Sequence, residues 1–455
     1  MTLETTVSRV PGWMVRVLAV LERRLGGHMP MASGAFWIFL IRVAGAGTSY
    51  IAQVALARWI GVEHYGVFVY GWLWLAMVGI VAPLGADGAV QRLLPTHLVE
   101  KDWARFWGAF WYGFLLVGLS GLCLAGLGYG LADGYGALIG EAYRPVLMIA
   151  ALALPFWAFN EQLLAVGRAL GWPIAAYTPF FVLIPFFLLV GAWILLGAGW
   201  PADAETVMWA GWSSCVFTFL ISAVVVLPRA LHRFPRRKPT AEPGPWLGLS
   251  FSLLLVTGSQ VLLESTDVVV LGIFLAPEDV AVYFAALRTT GLMGFVFYAV
   301  TGFCVPAFAR LHASGDRAAI QAFMLRITQL VFWPTLVAAV GLLVTGEFLL
   351  SLFGASFTGG YAIMVILMVR FLLQAAVGPI DQLLAVSGSH RFVATVLSLT
   401  AVLNVALNVA LIPPFGVYGA AAATVLSVAL ANAVLALTMY RRFGVLPLFL
   451  NRLQV

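Results

Sequence analysis

Long apolar runs separated by short polar breaks recur from residue 34 to residue 440. Each is long enough for a helix to cross the hydrocarbon core of a bilayer, which takes ~20 apolar residues. Twelve spans are predicted, near 34–57, 65–89, 106–130, 145–167, 173–196, 205–227, 247–275, 280–306, 325–345, 361–386, 391–412 and 416–440. The pattern lacks the short alternating strands of a membrane β-barrel. It predicts an all-α polytopic membrane protein.

Composition agrees. Hydrophobic residues make up 62% of the 455 positions and charged residues 10%, against roughly 25% charged in a soluble domain. Lipid must therefore be the solvent for most of the chain. Cys123, Cys215 and Cys304 lie in separate apolar runs, without metal-ligand or redox spacing, and read as small packing residues. Residues 1–33 are expected to be an amphipathic cytoplasmic segment rather than a cleavable leader. Trp13, Val17, Leu18, Leu21 and Leu25 recur at helical spacing opposite Arg16, Glu22, Arg23 and Arg24, as in a helix lying on the cytoplasmic leaflet.

The distribution of charge says more than the net +6. Twenty of the 25 Lys and Arg residues fall in the N-terminal segment, the alternate connections and the tail, whereas the opposite side carries Arg58 and Arg144. The positive-inside rule puts both termini in the cytoplasm. The one Pro-rich, strongly basic linker, residues 228–246, falls midway along the chain. Six spans precede it (residues 34–227) and six follow it (247–440), before a cytoplasmic tail, 441–455.

The halves also share landmarks. Glu161-Gln162-Leu163-Leu164-Ala165-Val166 returns 220 positions later as Asp381-Gln382-Leu383-Leu384-Ala385-Val386, at the ends of the fourth and tenth spans. Glu63 matches Glu278 at an offset of 215, and Arg92-Leu93 matches Arg310-Leu311 at an offset of 218. An even-numbered half gives its duplicate the same orientation. The prediction is two six-helix lobes related by a pseudo-two-fold axis along the membrane normal.

Charges inside the spans are the candidate chemistry, because an ionisable group in mid-membrane costs several kcal/mol and faces a partner or a water-filled cavity. Arg42 lies about 12 Å into the first span at ~1.5 Å per residue. Arg288 and Arg370 lie at similar depths in the eighth and tenth. Glu264 and Asp267 share one face of the seventh span, at a depth overlapping that of Arg288, so a buried structural ion pair competes there with a functional role. Arg42 and Arg370, too deep to snorkel easily, are expected to line a cationic cavity. Guanidinium groups bind phosphate through paired donors, so such a cavity suits a phosphorylated or anionic substrate. Asp87, Glu161 and Asp381, with Arg168 and Arg391, sit at cytoplasmic span ends and are candidates for a gate at the inner mouth.

No nucleotide-binding signature, metalloprotease motif or nucleophile elbow occurs. The longest outer loop, near 129–144, is short for a membrane glycosyltransferase or polymerase. No cofactor, metal or nucleic-acid partner is expected, and the protein is not expected to be an enzyme.

Several stretches resemble one family. Ala57-Arg58-Trp59-Ile60-Gly61-Val62-Glu63-His64-Tyr65-Gly66 is similar to the segment after the first span of polysaccharide flippases. These form the Wzx-like branch of the multidrug/oligosaccharidyl-lipid/polysaccharide exporter superfamily. Pro83-Leu84-Gly85 with Gln91-Arg92 resembles that family's second-span ending. So do Asp267-Val268-Val269-Val270-Leu271-Gly272 with Val282-Tyr283-Phe284-Ala285-Ala286, Pro306 with Arg310-Leu311, and Phe415-Gly416-Val417-Tyr418-Gly419-Ala420-Ala421 at their family positions. The glycine usual before the seventh–eighth turn tyrosine is replaced near Ala281.

The resemblance implies a flippase that moves an undecaprenyl-diphosphate-linked oligosaccharide across the bacterial cytoplasmic (inner) membrane for surface polysaccharide synthesis. The lobes would rock about a central cavity, beside a polymerase and glycosyltransferases of the same pathway. Glu264 and Asp267 are then candidates for ion coupling. An organic-cation antiporter of the same superfamily is the alternative, although its site should be acidic rather than rich in arginine. Further alternatives are a membrane component of polysaccharide assembly without transport activity, either an enzyme or a scaffold.

Overall fold

A computed structural model describes residues 29–240, 242–295 and 317–444, with isolated positions between 297 and 312. The N-terminal amphipathic segment before residue 29, Arg310, Pro306, Cys304 and the tail beyond 444 lie outside the described residues, as does the side chain of Glu264. The described residues form helices and no strands. In chain order these are α1 (Met29–Val81), α2 (Ala86–Glu100), α3 (Trp103–Ile139), α4 (Arg144–Ala169), α5 (Pro173–Thr178), α6 (Ile184–Gly197) and α7 (Ala204–Arg233). There follow α8 (Pro243–Phe274), α9 (Pro277–Gly291), α10 (Arg317–Ser351), α11 (Tyr361–Val377), α12 (Ile380–Leu384) and α13 (His390–Phe443). Nine continuous stretches of the described residues are long and apolar enough to cross a membrane.

Two of those nine, Trp37–Glu100 and Ile380–Phe443, are 64 residues long, about three times what one crossing needs. Glycines break both. Gly61 in α1 takes φ 79° and ψ 170°, and Gly416 in α13 takes φ 57° and ψ −139°. A side chain at such angles is strained, so a glycine is the residue that lets the helix stop and restart there. Both glycines stand inside the motifs quoted above, which thereby acquire a local reason. A π-helical turn, Pro179–Leu183, joins α5 to α6, and another, Ala385–Ser389, joins α12 to α13.

Packing is uneven along the bundle axis. The largest apolar cluster draws on both halves of the chain, with Tyr65, Phe68 and Tyr70 from the first and Tyr283, Phe284, Phe353 and Phe357 from the second. Tyr65 alone meets three rings of the second half, those of Phe284, Phe353 and Phe357, at 5.8–6.4 Å. Two further clusters stay apart: one spans residues 90–246, the other residues 308–439. Helix α8 runs between the halves. Its Ser250 hydroxyl meets the Tyr112 hydroxyl at 3.3 Å, and its Ser259 hydroxyl meets that of Ser398 at 2.7 Å.

Candidate functional site

Three polar groupings stand against this apolar frame. The first gathers Asp87, Glu161, Arg168 and Arg42. Asp87 lies in the first turn of α2, and Glu161 lies inside α4, whose last turn carries Arg168. Arg168 and Asp87 are both within electrostatic reach of Glu161. Tyr177, at the end of α5, connects this group to α1. The Arg168 guanidinium lies 5.2 Å from the Tyr177 ring centre, and that of Arg42 lies 5.6 Å from it. Arg42 also sits 5.1 Å from the Phe181 ring in the π-helical turn. Such contacts hold a guanidinium by cation–π attraction. The extra residue of a π turn displaces side chains from regular helical register, as is frequent at functional sites. Arg42 thus shares the Tyr177 ring with Arg168, one of the five gate candidates.

The second grouping lies in the other half. Asp267 is buried, accepting from Tyr283 Oη at 2.7 Å and from the Val268 amide at 2.9 Å. Arg370 of α11 is within its electrostatic reach, and Thr424 bonds the same tyrosine. One turn further along α13, Ser427 receives a bond from Asn404 Nδ2 at 3.4 Å. Asn408 Nδ2 in turn donates to the Asn404 carbonyl and side-chain oxygens at 2.9 and 3.0 Å. Apart from half-buried Arg370, these residues are buried, so two sets of polar groups about one turn apart on α13 lie inside the bundle. Buried polar groups in such a place are costly unless satisfied by one another. The Arg370 guanidinium also lies 5.2 Å from the Phe371 ring.

The third grouping lies where the halves meet. Tyr50 of α1 shares a 3.2 Å hydrogen bond with Thr289 of α9 and donates to the Leu349 carbonyl of α10 at 3.4 Å. Arg58, two turns along α1, donates through Nε to the Leu352 carbonyl and through Nη2 to that of Ser351 at 3.3 Å. Ser351 ends α10 and Leu352 follows it, where carbonyls lack intrahelical partners and the negative end of the helix dipole lies. Arg288, exposed on α9, lies 4.6 Å from the Phe284 ring at this junction.

The predicted residues are therefore distributed among distinct places. Arg42 belongs with the first-half group, Arg370 with Asp267, and Arg288 with the junction. Glu161 and Asp381, matched in sequence, differ in setting. Glu161 lies within a continuous helix, whereas Asp381 opens the short α12 after a break at Gly378. Arg391 stands exposed at the start of α13. Tyr177, Tyr50 and the Asn404–Asn408 pair are not among the sequence-predicted residues, and Tyr283 enters there only within a family-like motif. Two asparagines four apart in an apolar run are a signal that sequence reading could have used. Among the described residues no group of His, Cys, Asp and Glu is placed to hold a metal ion. A cleft of about 280 Å³ between α1, α3 and α4, lined by Trp74, Val78, Leu127 and Leu154, is almost wholly apolar and lies apart from these charges.

The described residues form an all-helical membrane bundle, and comparison with solved structures makes the fold specific. The chain has the fold of the multidrug/oligosaccharidyl-lipid/polysaccharide exporter superfamily. The lipid II flippase MurJ in its inward closed conformation superimposes with a TM-score of 0.71 at 12% identity, over 92% of this chain and 90% of that one. A multidrug resistance MATE family transporter of the same superfamily, inward-facing, gives 0.65 at 16% identity over 93% and 96%. In sequence the chain resembles the probable low-salt glycan biosynthesis flippase Agl15 of Haloferax volcanii. They are 25% identical over 429 residues, covering 90% of this chain and 83% of that protein. No family model matches the chain.

Proposed function

We propose that this protein is a flippase for lipid-linked glycans, carrying an undecaprenyl-diphosphate-linked oligosaccharide from the cytoplasmic to the outer leaflet of the cytoplasmic membrane by alternating access. The observation that carries the reading is the likeness to a glycan biosynthesis flippase over 90% of the chain. It is supported by guanidinium groups inside both helical halves, a chemistry suited to diphosphate. In this reading the chain crosses the membrane twelve times in two six-helix lobes. Breaks at Gly61 and Gly416 divide the two 64-residue stretches.

With both termini in the cytoplasm, the junction built from Tyr50 and Arg58 lies on the outer side, and the separate clusters lie at the inner mouth. The conformation is then closed outward, and transport requires the Arg58–α10 latch to open. Arg42 and Arg370 take the diphosphate, while Asp87, Glu161 and Arg168 guard the inner entrance. Asp267, with its polar neighbours, is where an ion gradient couples to the cycle. The test is export in cells lacking the endogenous flippase. Wild type restores surface polysaccharide and Arg42→Ala/Arg370→Ala does not. Full restoration by the double variant would contradict the cationic cavity.

A further inference from the structure

The basic linker between the two halves is fastened to the first half. Its Phe234 ring stacks on Trp103 at 6.1 Å and Trp172 at 6.5 Å. The Trp107 indole donates to the Pro235 carbonyl at 2.8 Å, and the Thr240 amide donates to the Ala104 carbonyl at 3.0 Å. Arg105 pairs with Glu242 at 2.9 Å. Prolines at 235, 239, 243 and 245 stiffen the same stretch. At the end of α7 and between these fastenings, Arg229, Arg233, Arg236, Arg237 and Lys238 are all exposed. Glu242 is the one acid in the sequence between residues 206 and 263, and Arg105 already engages it. The result is a fixed shelf of five positive charges.

We propose that this shelf binds the headgroups of anionic phospholipids in the cytoplasmic leaflet. Its depth argues for lipid over a soluble partner. Trp103, Trp107, Trp172 and Trp246 surround it where the apolar spans end, and tryptophan concentrates at the level of the headgroups. Charge argues the same way, since clustered basic residues directly cytoplasmic of a span attract anionic lipid. The proposal rests on the cytoplasmic placement of the linker and not on the transported substrate. Lipid binding and flipping can therefore fail independently.

The test uses the full-length protein purified in neutral detergent, offered phosphatidylglycerol, phosphatidylcholine and, separately, farnesyl diphosphate, with retained ligand counted by native mass spectrometry. Wild type should retain phosphatidylglycerol over phosphatidylcholine, and high salt should erase the preference. Arg233→Gln/Arg236→Gln/Arg237→Gln/Lys238→Gln, all at exposed positions, should lose it by about five-fold per charge removed. Equal retention by wild type and variant, or a preference indifferent to salt, would overturn the proposal. So would a variant that keeps phosphatidylglycerol but loses farnesyl diphosphate, because the shelf would then read the isoprenoid diphosphate instead.

Discussion

Asp267 illustrates how far single residues were legible. Its presence in an apolar span marked it at once, because a carboxyl in lipid needs company. Its company was not legible: depth counted along each helix pointed to Arg288 on the next helix, whereas the folded chain brings up Arg370 from α11 and Tyr283 from α9. Depth fixes height in the membrane but not azimuth, and azimuth decides neighbours. Tyr283→Phe leaves the buried Asp267 without its 2.7 Å donor. It should destabilise the protein by about 1–3 kcal/mol, read as a lowered melting temperature in detergent; an unchanged melting temperature would remove the tyrosine from the network. Arg58→Ala should loosen the junction with α10. Spin labels at exposed Glu63 and Glu347, one in each half, should report a new longer distance in the variant and not in wild type.

Helices were more legible than contacts. Apolar length alone located α3, α4, α6, α7 and α8, since each must satisfy its backbone internally while facing lipid. Turns were legible where the apolar run lapsed, as around Gly61 and Gly416. They were obscure where a helix changed register instead, as in the π turns at Pro179–Leu183 and Ala385–Ser389. A π turn leaves no apolar gap, so hydropathy passes over it. Gly61 permits a clean test at this scale. A methyl group there would meet nothing within 4 Å, so Gly61→Ala should cost about 1–3 kcal/mol purely through backbone strain. Gly47, also free of neighbours within 4 Å but inside regular helix, should tolerate alanine with no loss or a small gain. Thermal melts of the two variants side by side check the contrast.

At the scale of the molecule, the recurrence of long apolar runs conveyed a polytopic helical membrane protein, whereas the repeat and the alternation of positive charge predict the two lobes that the proposed cycle uses. The contacts that opening and closing would have to break lay beyond sequence, because they join aromatic rings far apart in the chain, Tyr65 against Phe284, Phe353 and Phe357. If Asp267 couples an ion gradient to that opening and closing, an imposed sodium or proton gradient should accelerate transport by wild type. The same gradient should leave Asp267→Asn unaffected, as followed in proteoliposomes; equal acceleration of both would exclude this residue. The most direct measurement of the central claim is flipping itself. Purified protein in proteoliposomes is given a fluorescent undecaprenyl-diphosphate-linked oligosaccharide, and its movement between leaflets is followed by quenching from outside. Wild type should redistribute the lipid well above protein-free vesicles, and Arg42→Ala/Arg370→Ala should fall back by ten-fold or more, the effect of about 1.4 kcal/mol or greater. Redistribution no faster than in protein-free vesicles, with the same preparation exporting organic cations, would contradict the account.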